Sequence, residues 1–110
     1  MPHNAKGSRR ERELLELLVP QGFVVHRVAG SGKNENAICD LIAISRTGKV
    51  WFIEVKSRKS VYYPKDDIEQ LKSIIVTAKR CRARPVLAVK LNYKDWQFFD
   101  LRRGIPNRVT

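Results

Sequence analysis

A chain of 110 residues with 43% apolar side chains holds one domain with a modest core, and its composition is that of a folded protein rather than a disordered one. No apolar run approaches the ~20 residues that span a bilayer, and "MPHNAKGSRRERE" lacks the apolar segment of a secretory signal, so a cytoplasmic protein is expected. Lys and Arg number 22 against 11 Asp and Glu, a net charge of +11, which suits a polyanionic partner. No basic amphipathic helix carries a Trp/Leu face, so that partner is read as nucleic acid, with no membrane and no small-molecule substrate.

Residues 1–7 are polar and are expected to be mobile, ahead of a single domain over 8–103 and a C-terminal tail over 104–110. Ser8 followed by Glu11 has the spacing of a capping box, so the first helix should start at Ser8 and stop near Val19, before Pro20 and Gly22. Its apolar stripe is Leu14, Leu15 and Leu18. Glu11 extends that stripe instead of the solvated face, an unusual place for an acid. "FVVHRVA" (23–29) reads as a strand and "GSGKNEN" (30–36) as a polar, glycine-rich loop. A P-loop reading of "GSGK" fails, because Arg27 stands where the first glycine belongs and Asn34 where Ser or Thr is needed.

"AICDLIAIS" and "KVWFIEVKS" are two apolar strands joined by a turn at Arg46, Thr47 and Gly48. "SVYYPKD" reads as a loop. Residues 66–81 have helical periodicity, with Ile68, Leu71, Ile75 and Ala78 in one stripe. "RPVLAVKL" and "DWQFFDL" are two further strands paired through a turn near Asn92 to Asp95. The order α-β-β-β-α-β-β predicts an α/β domain, a central mixed five-stranded sheet flanked by helices. Cys39 and Cys81 make no CxxC and no zinc pattern; thiols or a disulfide are both compatible with the sequence.

The strand "WFIEVKS" places Glu54 and Lys56 two residues apart, hence on one face. With the turn centred on Thr47, residues whose numbers sum to 94 face each other, and Asp40 falls opposite Glu54; with the centre between Thr47 and Gly48 the partner shifts by one. That register, or a distortion at Asp40, is needed to put both carboxylates on one side. Two adjacent carboxylates repel unless a cation sits between them, and Mg²⁺ takes one or two carboxylates while keeping several waters. A neighbouring ammonium such as that of Lys56 suits a reaction at phosphate, in which negative charge builds up.

"D40…E54-V55-K56" resembles the active-site signature of the PD-(D/E)xK, or restriction-endonuclease-like, nuclease superfamily, with Cys39 where Pro often precedes the Asp. "KGSRRERELLELL", "GFVVHRVAGSG", "CDLIA", "FIEVKS" and "PVLAVKL" followed by "WQFFDL" resemble, in order and spacing over residues 6–101, the archaeal-type Holliday junction resolvases of the Hjc/Hje group. The resemblance implies a Mg²⁺-dependent endonuclease (Mn²⁺ can substitute) that nicks four-way DNA junctions as a homodimer. It implies Glu11, Asp40, Glu54 and the Val55 carbonyl as metal ligands, with Lys56, Arg12 and Ser31 joining them in catalysis. Arg27 and Lys90 match DNA-facing residues, and Gln70 matches a polar position on the second helix of related nucleases. Lys6, Arg9, Arg10, Lys33 and Arg58 complete the cations expected at phosphates. For the dimer contact the candidates are Ile68, Leu71, Ile75, Trp96, Phe98 and Phe99. Two rival readings stay open: a nuclease of this fold acting on another DNA structure, and a non-catalytic nucleic-acid-binding module. The three acids disfavour the second, because a pure binder gains affinity by losing acids near phosphate.

Overall fold

The computed structural model describes residues 2–29 and 37–110, residues 2–7 by their backbone alone. Helix α1 (Pro2–Leu18) leads through a short 3₁₀ turn into strands β1 (Val24–Arg27), β2 (Leu41–Ile44) and β3 (Val50–Arg58). A 3₁₀ turn (Pro64–Asp67) then opens α2 (Ile68–Cys81), which is followed by β4 (Arg84–Leu91) and β5 (Gln97–Asp100). The five strands form one sheet in the order β1-β2-β3-β4-β5. The β3–β4 pair is parallel and the others are antiparallel. Only the parallel pair needs a long crossover, and α2 supplies it.

The sheet separates two apolar layers. Leu14 and Leu18 of α1 pack with Leu41, Ala43, Ile53, Val55, Val86 and Ala88 on one face. Residues of the opposite parity, Phe52 and Leu87, turn to the other face, toward Ile74, Ala78 and Leu71 of α2. Strand alternation thus assigns Glu54, and Lys56 after it, to the α2 side. Ile74, outside the expected stripe, is fully buried.

Three expectations are corrected, and one point the sequence left open, the state of the cysteines, is answered. The first helix starts at Pro2, so Ser8 is not its cap; a Pro in the first turn needs no N–H partner and its φ already suits the helix. Residues after Arg103 form no free tail: Val109 is buried and exchanges backbone hydrogen bonds with Tyr62 (2.9 Å each way), adding an isolated bridge to the fold. Leu71 is core and unable to face a second copy, while Phe99 and Trp96 pack against the buried clusters and Phe98 is left exposed. Cys39 and Cys81 are both thiols, the first buried and the second exposed. Among the described residues no helix is long and apolar enough to cross a membrane.

Candidate active site

The β2–β3 hairpin sets the site. Ser45 and Lys49 close its turn, with the Gly48 N–H donating to the Ser45 carbonyl, and Gly48 takes φ +83°, a conformation most side chains avoid. That turn fixes Leu41 opposite Ile53, the register in which facing numbers sum to 94. Asp40, one step before β2 begins, departs from that ladder and lies close enough to Glu54 for its charge to raise the Glu54 carboxyl.

Asp40 is clamped between two strands. Its N–H donates to the Ile53 carbonyl (3.1 Å) and its carbonyl accepts from Val28 (2.9 Å). Its Oδ2 accepts the Val55 N–H at 2.8 Å. Where β2 has run out, a side-chain oxygen thus replaces the missing ladder carbonyl, and Val55 keeps its hydrogen bond. The result is a carboxylate only 6% exposed at a fixed place beside β3.

Glu54 is 2% exposed, and its Oε1 has no hydrogen-bond partner. Burial, and then the charge of Asp40, push its carboxyl up to about 8, against a smaller downward pull from Lys56. Lys56 Nζ lies 3.5 Å from Glu54 Oε2, 3.5 Å from Asp67 Oδ1 and 3.3 Å from Gln70 Oε1. Asp67 in turn accepts the Tyr62 hydroxyl at Oδ2 (2.7 Å), and Arg58 approaches the same oxygen at 4.0 Å while its guanidinium lies over the Tyr62 ring.

Glu11 reaches this end of the sheet from α1. It meets Arg27 of β1 (3.3 and 3.4 Å), and its carboxyl is raised by burial and by Asp40, with Arg27 opposing. Glu11 and Arg27 belong to the α1 side, Asp40 and Glu54 to the α2 side. Accordingly, among the described residues no three acids, imidazoles or thiols stand as a ready-made metal cage.

The expected cations divide into two groups. Arg9 and Arg12 are exposed and Arg58 is half exposed. Arg10 is drawn inward to Ser57 Oγ (3.2 Å) and Glu13 (3.0 Å), and Glu13 also accepts from the Trp96 indole (3.2 Å). Its role is to join α1, β3 and the start of β5. The Lys90 ammonium donates to the carbonyls of Leu91 and Lys94, bracing the β4–β5 turn. Ser31 and Lys33 lie outside the described residues, as does the side chain of Lys6. Cys39, where the signature often has Pro, is buried beside the site; burial raises its thiol to about 12, and Sγ donates to the Leu41 carbonyl, so it acts as a small core residue.

Sequence reasoning missed Tyr62, which fell in a stretch read as loop, and Asp67, which fell at the start of the stretch read as helix. The available signal was local: an acid in the first turn after Pro64, three residues before Gln70.

The profile of the archaeal Holliday junction resolvase (Hjc) family matches residues 2–105. The chain is 39% identical over 101 residues to the crossover junction endodeoxyribonuclease Hjc of Archaeoglobus fulgidus, an alignment covering 89% of this chain and 71% of that one. With the protein of the same name from Sulfolobus acidocaldarius the identity is 35% over 109 residues, covering 94% and 73%. The 1.6 Å structure of Archaeoglobus fulgidus Hjc, a Holliday junction resolvase, matches with a TM-score of 0.72 at 36% identity, covering 92% of this chain and 84% of that one. That structure shares the mixed five-stranded sheet between two helices that the sequence predicts.

Proposed function

From the premise that the chain belongs to the archaeal Holliday junction resolvase (Hjc) family, we propose that it hydrolyses phosphodiesters in four-way DNA junctions at the Asp40–Glu54–Lys56 site, with Mg²⁺ as cofactor and Mn²⁺ as a substitute. The single observation behind this reading is a buried pair of carboxylates, one with an unpartnered oxygen, beside a held ammonium.

The donor set suits a hard divalent ion. Asp40 and Glu54 would hold it with the Val55 carbonyl, which points to the same edge as the Val55 N–H that Asp40 accepts, and Glu11 stands near enough to Asp40 to complete the acid set. Such an ion supplies Lewis-acid polarisation of a phosphate oxygen and neutralises its charge. The chain's own groups do the rest. Lys56 brings a proton donor and a positive charge to the reacting phosphate, where negative charge develops. Arg27 holds Glu11 in place and limits its repulsion with Asp40. Exposed Arg9 and Arg12 on α1 meet the backbone of a junction arm. Two copies present two sites to a substrate of near two-fold symmetry, so the enzyme works as a homodimer, in the cytoplasm where its DNA lies.

The deciding experiment offers a labelled four-way junction and a matched duplex, with and without Mg²⁺. Paired nicks confined to the junction and dependent on Mg²⁺ are expected. Equal cutting of duplex would make the protein a nuclease for another DNA structure, and binding without cutting would make it a binding module.

The cofactor has its own test. Without a divalent ion the folded chain keeps the Glu54 proton up to about pH 8, whereas an unfolded chain loses it near the ordinary 4.5. Between those values the native state binds more protons, so stability falls as pH rises through the window and then levels off. A cation that takes the place of the proton reverses the loss. Thermal unfolding in EDTA should show a lower Tm at pH 8.5 than at pH 5, and Mg²⁺ should raise Tm more at the higher pH. An Mg²⁺ effect of equal size at both would remove Glu54 from the metal site.

A further inference from the structure

The Lys56 ammonium has two anionic neighbours, and a working metal site leaves it only one. Glu54 Oε2 lies 3.5 Å from Nζ, but its charge is claimed by the cation once that cation is bound. Asp67 Oδ1, also at 3.5 Å, has no such competing duty, and its geometry is fixed from behind. Tyr62 donates its hydroxyl to Asp67 Oδ2 at 2.7 Å, and Arg58 lies on that same side, so Oδ1 is the oxygen turned to Lys56. Tyr62 is itself anchored: it is 1% exposed, packed among Leu71, Leu87 and Leu101, and its backbone is bridged to Val109. Asp67 ends the 3₁₀ turn whose first residue, Pro64, is buried, so its backbone is tied down as well. The chain from core to ammonium thus runs Val109, Tyr62, Asp67, Lys56.

We infer that Asp67, held by Tyr62, is the positioning residue that keeps the Lys56 ammonium at the reacting phosphate. A lysine stem has many rotamers, and a misplacement of about 1 Å in an active site can cost on the order of a hundredfold in rate. A lone ion pair of this exposure adds little to stability, so the effect belongs in the rate. Gln70, neutral and exposed, assists through its oxygen at 3.3 Å but leaves the charge of the ammonium unbalanced.

The inference rests on Lys56 acting in cleavage, and the test separates the two. Single-turnover cleavage of a labelled four-way junction in Mg²⁺ is measured for Asp67→Asn, Asp67→Glu, Tyr62→Phe, Lys56→Ala and the double variant Lys56→Ala/Asp67→Asn, with junction affinity and Tm alongside. Asp67→Asn should lose about 10- to 100-fold in rate with affinity unchanged or slightly tighter. Asp67→Glu should recover part of the rate, and Tyr62→Phe should lose less than Asp67→Asn. The double variant should be no slower than Lys56→Ala, because one positioning effect cannot be lost twice. Should Asp67→Asn prove unfolded in the melt, Tyr62→Phe alone and with Lys56→Ala carries the same comparison. Slow Lys56→Ala beside full-rate Asp67→Asn overturns this inference alone, as does further slowing in the double variant. Full-rate Lys56→Ala overturns the role of Lys56 and this inference with it.

Discussion

Asp40→Asn and Glu54→Gln each reduce junction cleavage by on the order of a thousandfold or more, while junction binding stays intact or tightens. Both substitutions remove an ionisable acid and keep its shape. An Asn at position 40 still offers an oxygen to the Val55 N–H that Asp40 now accepts at 2.8 Å, so the end of β2 stays attached to β3. A Gln at position 54 replaces a buried acid that burial and Asp40 push up to about 8, so the fold trades a protonated acid for a neutral amide below that pH and loses an unfavourable charge only above it. Neither variant should melt lower than the parent in EDTA. Binding tightens where a change deletes a negative group beside phosphate, as Asp40→Asn does and as Glu54→Gln does above about pH 8. Single-turnover cleavage, gel shift in the absence of divalent ion and thermal melting together make the check, and undiminished cleavage by either variant removes that residue from the site. Asp40→Ala provides the contrast: it also strands a buried N–H, at about 1–3 kcal/mol, and should lose stability as well as activity.

The hairpin register was legible to within one residue because its determinants are local, and the structure chose between the two registers left open. Thr47-Gly48 sets the turn, strand period sets the face, and together they bring Asp40 close to Glu54. Glu11 was legible for a similar reason: helical spacing put an acid on the stripe that Leu14 and Leu18 bury. What was hidden depends on distant parts of the chain. A sequence shows that Arg10 is basic but not that Ser57 and Glu13 claim it, so it read as a phosphate ligand. Lys90 misled in the same way, its ammonium bracing a turn of its own hairpin. Asp67 looked like one more acid in the first turn of a helix, since its meaning lies in Tyr62 on one side and Lys56 on the other. The capping pattern at Ser8 and Glu11 was a true local signal that lost, with Arg27 engaging Glu11 and the helix running back to Pro2.

Junction affinity should fall by about 10³- to 10⁵-fold between 50 and 200 mM salt, the response of a protein that neutralises roughly six to ten phosphates. The chain carries 22 Lys and Arg against 11 Asp and Glu, a net +11, so half of its cations have no acid to balance them, and a polyanion would balance them. The structure sharpens this into a comparison among arginines of one helix. Arg9 and Arg12 are exposed on α1, and replacing either by Ala should lower the slope of log affinity against log salt by about one. Arg10, lying between them, already spends its guanidinium on Ser57 and Glu13. Arg10→Ala should instead lower Tm and leave the salt slope nearly unchanged, since its charge was never offered to phosphate. Fluorescence anisotropy with a labelled junction across a salt series, with melting curves of the same variants, measures both. A flat salt response would refute a charge-driven DNA surface, and an Arg10→Ala variant that behaves like Arg9→Ala would show that the inward network opens when DNA arrives.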